Sequence, residues 1–125
     1  MAEKGDGIDF TMIAEWDLST AQYRAVIVSS SVSNKCQVAS AARDRVFGIN
    51  QSKVQSNESA RIRVLGISKV IAGGTINAAD ILVSNATGHA VVGNSANAFG
   101  IALQDAASGS NFTALIVPRF TASGG

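Results

Sequence analysis

Ile81-Leu-Val-Ser-Asn-Ala-Thr-Gly-His-Ala-Val-Val92 shows the pattern that decides the fold of this chain. Two short runs rich in valine and isoleucine, Ile81–Ser84 and His89–Val92, flank Asn85–Gly88, whose residues favour a turn. The same pattern recurs on both sides of this stretch. The other predicted strands are Tyr23–Ser29, Gln37–Ser40, Arg45–Asn50, Arg61–Leu65, Ser68–Ala72, Ala98–Leu103 and Phe112–Val117. Short strands at such spacing, without sustained helical periodicity, predict an all-β, compact sandwich or barrel-like domain.

A repeated tripeptide suggests that this domain contains two copies of one β-unit. Phe47-Gly48-Ile49 recurs 52 residues later as Phe99-Gly100-Ile101, and a polar stretch and an apolar strand follow each copy. The same offset places Val64 on Ile116, although only four of the 31 positions paired between residues 36–66 and 88–118 are identical. The duplication is therefore predicted from the shared pattern. A glycine inside a strand pattern permits a bulge or the close approach of another chain.

Residues 1–20 differ in composition from the rest and are predicted to form an N-terminal arm. They hold five of the nine acidic residues. Ile8, Phe10 and Met12 alternate with polar residues and make one apolar strand face, which must be covered. The arm either packs on its own domain or adds a strand to a neighbouring chain. The β domain is predicted at 21–120, because Pro118 follows the last strand, and a flexible tail at 121–125.

Composition limits the possible partners. Of the 125 residues only seven are aromatic, while 47 are Ala, Ser or Gly, so the core is built from small side chains and association with other copies or a partner would add stability. The net charge is +1 and the basic residues are scattered, which argues against nucleic acid as a partner. The chain shows no signal-peptide core and no apolar run near the ~20 residues of a membrane span, so synthesis in a cytoplasm and no membrane partner are predicted.

The sequence offers no constellation typical of an enzyme. His89 is the only histidine, and no serine lies in a Gly-x-Ser-x-Gly turn, so a catalytic triad is not predicted. Cys36 is single and is interpreted as a small buried hydrophobe, with no metal-ligand spacing around it. Arg61 and Arg63 alternate with apolar residues and are interpreted as the wet face of a strand. We therefore predict no catalytic residue, no cofactor and no metal.

Three segments resemble tailed-bacteriophage capsid decoration proteins, also called head-fibre or cement proteins. These segments are Val70-Ile-Ala-Gly-Gly-Thr-Ile-Asn-Ala-Ala-Asp-Ile-Leu-Val83, Gly88-His-Ala-Val-Val92 and Phe99-Gly-Ile-Ala-Leu-Gln-Asp-Ala-Ala-Ser-Gly109. The last contains the apolar-Gly-apolar-Ala-Leu-x-x-Ala-x-x-Gly segment that members often carry before the final strand. Where many members have Gly before the Asp of the central turn, this chain has Ala79-Asp80.

This resemblance implies a structural virion protein on the outer surface of an icosahedral capsid. Its partners would be the major capsid protein, whose neighbouring subunits it would bridge and stabilise, and other copies of itself in a homotrimer. The N-terminal segment of such proteins often lies against the shell. The candidate capsid-contact residues are Ile8, Phe10, Met12, Ile13 and Trp16. The alternative is a carbohydrate-binding or adhesive β-module displayed on a virion or cell surface, for which Trp16 and Tyr23 are the only aromatic residues of the usual type.

Overall fold

A computed structural model describes residues 7–93 and 97–117, which form nine β-strands in one mixed sheet. The strands are β1 (Gly7–Ala14), β2 (Ala25–Val28), β3 (Lys35–Val38), β4 (Gly48–Asn50), β5 (Ser59–Ile71), β6 (Ile81–Ser84), β7 (Ala90–Val92), β8 (Gly100–Ala102) and β9 (Asn111–Ile116). Over these two ranges the chain is all-β, as the sequence predicts, and none of it forms a helix long enough to cross a membrane.

The first five strands form a closed circuit of paired strands. β1 pairs parallel with β3 and antiparallel with β5. Antiparallel pairs then connect β3 to β2, β2 to β4 and β4 to the N-terminal part of β5. We call this circuit, residues 7–65, the first unit.

The C-terminal part of β5 begins a second circuit with the same topology. It pairs antiparallel with β9, and β9, β8, β6 and β7 follow one another in the sheet. A parallel bridge between Ala72, directly after β5, and Ala90 of β7 closes the circuit. We call residues 66–117 the second unit. Gly66 lies where β5 passes from one unit to the other, because it is paired with both Gly7 and Ile116.

Matching registers show that the two units are copies of one design. The pair Val26–Gly48 in the first unit corresponds to Leu82–Gly100 in the second. Likewise Ile49–Arg63 corresponds to Ile101–Leu115, and Met12–Ala60 corresponds to Val70–Phe112. The repeated Phe-Gly-Ile tripeptides therefore occupy equivalent places. The duplication suggested by the sequence is a property of the fold.

β5 differs from its predicted boundaries. The sequence predicts two strands, Arg61–Leu65 and Ser68–Ala72, but the structure has one strand of 13 residues. Gly66 adopts φ 116, a conformation that favours glycine, and the β1 register shifts next to it, between Ile8 and Asp9. The glycine thus allows an irregularity inside a continuous strand instead of a turn.

The predicted arm is part of the first unit where the structure describes it. Gly7–Ala14 forms β1, and seven of its residues are paired with β5 of the same chain. This is the first of the two arrangements considered from the sequence. The boundaries at residues 20 and 120 stay predictions, and the tail at 121–125 lies outside the described residues.

Each unit has its own core, and a shared cluster joins them. The first-unit core is Ala14, Leu18, Ala21, Val26, Cys36, Ala60 and Ile62. The second-unit core includes Ile76, Leu82, Phe99 and Phe112, and Ala25, Ala39, Val46 and Ile49 of the first unit pack into that same cluster. Backbone hydrogen bonds strengthen the junction: the Ala25 N–H donates to Gly88 O at 2.8 Å, and the Arg43 N–H donates to Ser84 O at 2.8 Å.

Burial of Cys36 predicts a pH-dependent stability. Its side chain is fully buried, as expected from the sequence, and desolvation raises the pKa of the thiol from 9.0 to about 11. Because the unfolded chain loses this proton first, the stabilising contribution is complete below pH 9 and is lost as the pH rises through the folded-state pKa. We expect a loss of about 2 to 3 kcal/mol across this window, at 1.36 kcal/mol for each pKa unit.

Urea denaturation between pH 8 and pH 11 tests this expectation. The matched control is Cys36→Ala, because the bridge partner Ala90 occupies the equivalent place in the second unit. The variant lacks the thiol, so its stability should fall less steeply above pH 9. Parallel curves for the two proteins would contradict the expected titration.

Candidate docking surfaces

The predicted contact residues of β1 lie mostly on one face of the strand, which is exposed at its N-terminal end and covered by the first-unit core at Met12. Ile8 and Phe10 are exposed, and Met12, two residues further, is half-buried against the first-unit core. The Phe10 ring packs against Phe47 with centroids 5.7 Å apart and planes tilted by 32°. Exposed Leu65 is paired with Ile8 in the sheet. We call Ile8, Phe10, Phe47 and Leu65 the N-terminal patch; sequence reasoning missed the last two residues.

Ile13 and Trp16 do not share this patch. Ile13 is half-buried and, by the alternation of a strand, lies on the opposite face of β1 from Phe10 and Met12. Trp16 follows the end of β1 and is exposed. Trp16 is therefore a separate exposed aromatic residue.

The opposite face of β1 carries an ionic cluster. The Asp9 carboxylate lies between two arginines of β5: Arg61 Nε is 3.5 Å from Oδ2, and Arg63 binds both carboxylate oxygens through Nε and Nη2. The Arg61 side chain is exposed, as predicted, but Arg63 is mostly covered, because its guanidinium also donates to Ile67 O. The two arginines thus bind a carboxylate within the chain.

A second apolar surface crosses four strands of the second unit. In-register pairs connect Ile67 to Leu115, Leu115 to Ile101 and Ile101 to Ile81. Directly paired residues place their side chains on the same face of a sheet. Leu115 is half-buried and the three isoleucines are exposed. We call these four residues the apolar row. Ile81 and Ile101 also line a recess of about 180 Å³ with Val117.

A larger recess of about 620 Å³ lies at the junction of the two units. It is lined by Ile27, Val28, Ser30, Ala42, Arg43, Asp44, Arg45, Phe47 and Asn97. The Asp44 carboxylate accepts hydrogen bonds from the backbone N–H groups of Ser40 and Ala41 at 3.1 and 3.2 Å. That carboxylate therefore stabilises the loop before β4.

Two aspartates of the second unit hold turns through hydrogen bonds, and His89 has a shifted pKa. Asp80 accepts a hydrogen bond from the Asn77 N–H, and Asp105 accepts one from the Ala78 N–H, each at 2.8 Å. Burial and the nearby Arg24 charge lower the pKa of His89, which favours the neutral ring at physiological pH. Within residues 7–93 and 97–117, no three His, Cys, Asp or Glu side chains are placed to hold a metal ion.

A small all-β domain with exposed apolar faces is typical of proteins that act by binding a partner through their surface. The chain belongs to the phage cement protein family, whose model matches residues 2–117. No curated protein matches it. Its fold is similar to that of the head fiber gp8.5 N base of bacteriophage phi29, with a TM-score of 0.69 and 22% identity over 91% of this chain and 98% of that one.

Family membership defines the function class. The protein is a capsid-associated structural protein of a phage virion, located at the outer capsid surface. This agrees with the leading interpretation of the sequence. The family is one of structural proteins, in line with the prediction that the chain is not an enzyme.

Proposed function

We propose that this protein binds the major capsid protein as a homotrimer, bridges neighbouring capsid subunits and so stabilises the shell. The observation that carries this proposal is the family match over nearly the whole chain, together with two apolar surfaces exposed on a domain of small residues. A trimer engages several subunits at once, so modest separate contacts combine into tight binding. A ligand that binds only the assembled shell shifts the equilibrium toward assembly without any turnover.

The N-terminal patch is the proposed capsid contact. Ile8 and Phe10 are exposed side by side on β1, and aromatic residues of this kind dominate interface energetics. Trp16 would add a separate anchor, whereas half-buried Met12 and Ile13 offer less surface to a partner. The β1 backbone is paired with β3 and β5 and closes the first unit. The side chains at the N-terminal end of β1 can therefore contact a partner while the strand stays in the sheet.

Substitution of the patch tests the proposed contact. We expect the double variant Ile8→Ser and Phe10→Ser to bind empty capsid shells at least tenfold more weakly, because the loss of a central hot spot costs 2 kcal/mol or more, roughly. Deletion of the segment is a poorer test, since it removes β1 from the first unit. Binding is measured by co-sedimentation with shells, and cryo-microscopy shows whether protrusions stand at symmetry axes.

Val92→Ser is the matched control, because Val92 is equally exposed but lies on β7 of the second unit. It should decorate shells like the natural protein. Undiminished binding of the double variant would exclude the N-terminal patch as the contact. Absence of the natural protein from every shell tested would overturn the proposed function itself.

A further inference from the structure

The matched registers identify the first-unit counterparts of the apolar row. The pair Ile67–Leu115 corresponds to the ion pair Asp9–Arg63. The pair Ile81–Ile101 corresponds to Ala25–Ile49. All four residues of the row are apolar. Their first-unit counterparts are one ion pair, Asp9–Arg63, and one apolar pair, Ala25–Ile49.

The apolar pair is covered in the first unit, and its counterpart is exposed in the second. Ala25 and Ile49 are 0% exposed, because they pack into one cluster with the second-unit core. Their second-unit counterparts Ile81 and Ile101 are 39% and 42% exposed among the residues that the structure describes. Contiguous exposed apolar surface of this kind is typical of interaction sites.

The β6–β7 turn contacts the first unit beside this buried face. Its Gly88 carbonyl accepts from the Ala25 N–H, and its Ser84 carbonyl accepts from the Arg43 N–H. Ser84 Oγ also accepts from the Asp44 N–H at 3.2 Å and is fully buried in the junction. The turn thus contacts the first unit with both its beginning and its end.

The first-unit counterpart of this turn is exposed and apolar. The β2–β3 pairs match the β6–β7 pairs, so Val28 and the turn after it correspond to Ser84 and the β6–β7 turn. The last turn residues also match in conformation, with φ 65 at Asn34 and φ 81 at Gly88. Where Ser84 is buried, Val28 is 51% exposed, and Val32 of the turn is 38% exposed.

We propose that copies of this protein associate head to tail, with the apolar row of one copy packing against Val28 and Val32 of the next. The contact between copies repeats the contact that joins the two units within one chain. The inference rests on the proposed self-association and names its two surfaces. Because the surfaces differ, the interface is heterologous, and a closed ring such as a trimer satisfies every copy.

Mixing two defective variants tests this arrangement. Ile101→Asp damages the row and Val28→Asp damages the turn, and each variant alone should sediment as a monomer where the natural chain forms oligomers. Mixed in equal amounts, the two should form a dimer, because the intact turn of the Ile101→Asp copy fits the intact row of the Val28→Asp copy. Analytical ultracentrifugation of the full chain measures the masses, and Val92→Asp is the control that keeps the natural mass.

Three outcomes would overturn the inference, and thermal melting first verifies that each variant is folded. If both variants keep the natural mass, the surfaces are wrong; if the mixture stays monomeric, the head-to-tail arrangement is wrong. If the natural chain is a monomer at all concentrations and Ile101→Asp loses shell binding, the row contacts the capsid instead. Shell decoration by the natural protein is measured separately, so the proposed capsid function can stand when the inference fails. Should Ile101→Asp not fold, Ile81→Ser tests the same row.

Discussion

Phe99→Ala is expected to lower the free energy of unfolding by about 3 to 5 kcal/mol, the usual cost of removing a buried phenyl ring. Phe99 is fully buried in the second-unit core, within the cluster that joins the two units. Its counterpart Phe47, at the same place in the first unit, is only half-buried and contacts Phe10. The same substitution at Phe47 should therefore cost less than half as much.

Urea denaturation of the two variants measures this difference. The pair is well matched, because both substitutions remove the first residue of the same Phe-Gly-Ile tripeptide. Equal losses at the two sites would show that Phe47 is as well packed as Phe99, contrary to the structure. Retained shell binding by Phe47→Ala would further show that Phe10 contacts the capsid without its ring partner.

Gly100→Ala is expected to destabilise the protein by about 3 kcal/mol, at the upper end of the usual cost of overpacking. A Cβ at Gly100 would lie 2.3 Å from Leu115 O and 3.3 Å from Leu115 C. Both atoms are backbone, so β8 and β9 must move apart before the methyl group fits. This finding gives a reason for the glycine in the repeated tripeptide: the close approach of a neighbouring strand of the same chain.

Gly74→Ala is the control for this substitution. No atom lies within 4 Å of a Cβ built at Gly74, which follows β5 in a surface loop. Its stability should stay within about 0.5 kcal/mol of the natural protein, as for most surface substitutions. Thermal unfolding of Gly100→Ala and Gly74→Ala measures the difference in stability. Equal melting temperatures would show that the β8–β9 pair tolerates the methyl group.

Local pattern predicted the strands well where turn residues bound them. Ile81–Ser84 is a strand with the predicted limits, and six other strands, β5 aside, overlap predicted segments. The main error was the division of β5, because a glycine that usually marks a turn lies here inside a strand. The turn before β6 holds a second local feature: Ala79 adopts φ 78, which costs a residue with a Cβ roughly 1 to 2 kcal/mol.

The sequence shows the duplication only weakly, because the number of residues between counterparts in the two units is not constant. Counterparts in β4 and β8 or in β5 and β9 are 52 residues apart, but Met12 corresponds to Val70, 58 residues later. The loops of the second unit are shorter, so a fixed offset aligns only the last two strands of each unit. Identity over the rest is then lost, even though the pairing is conserved throughout.

The candidate surfaces were only partly predictable for a related reason. Alternation along β1 placed Ile8 and Phe10 on one face, because both belong to one strand. The apolar row contains Ile67, Leu115, Ile101 and Ile81, which are far apart in sequence and meet only through strand pairing. Each looks like an ordinary core residue when its strand is considered alone. Nothing local distinguishes exposed Ile101 from its buried counterpart Ile49.

The strand shared by both units also has a mechanical consequence. β1 is hydrogen-bonded along the first half of β5 and β9 along the second half, both antiparallel to it. A force that pulls the two units apart along β5 is carried by the covalent backbone of β5. The hydrogen bonds from β5 to β1 and β9 are then loaded together in shear and are not broken one at a time. A capsid under internal pressure strains whatever spans its subunits. In the proposed bridging role, continuous β5 would carry that strain between the two units.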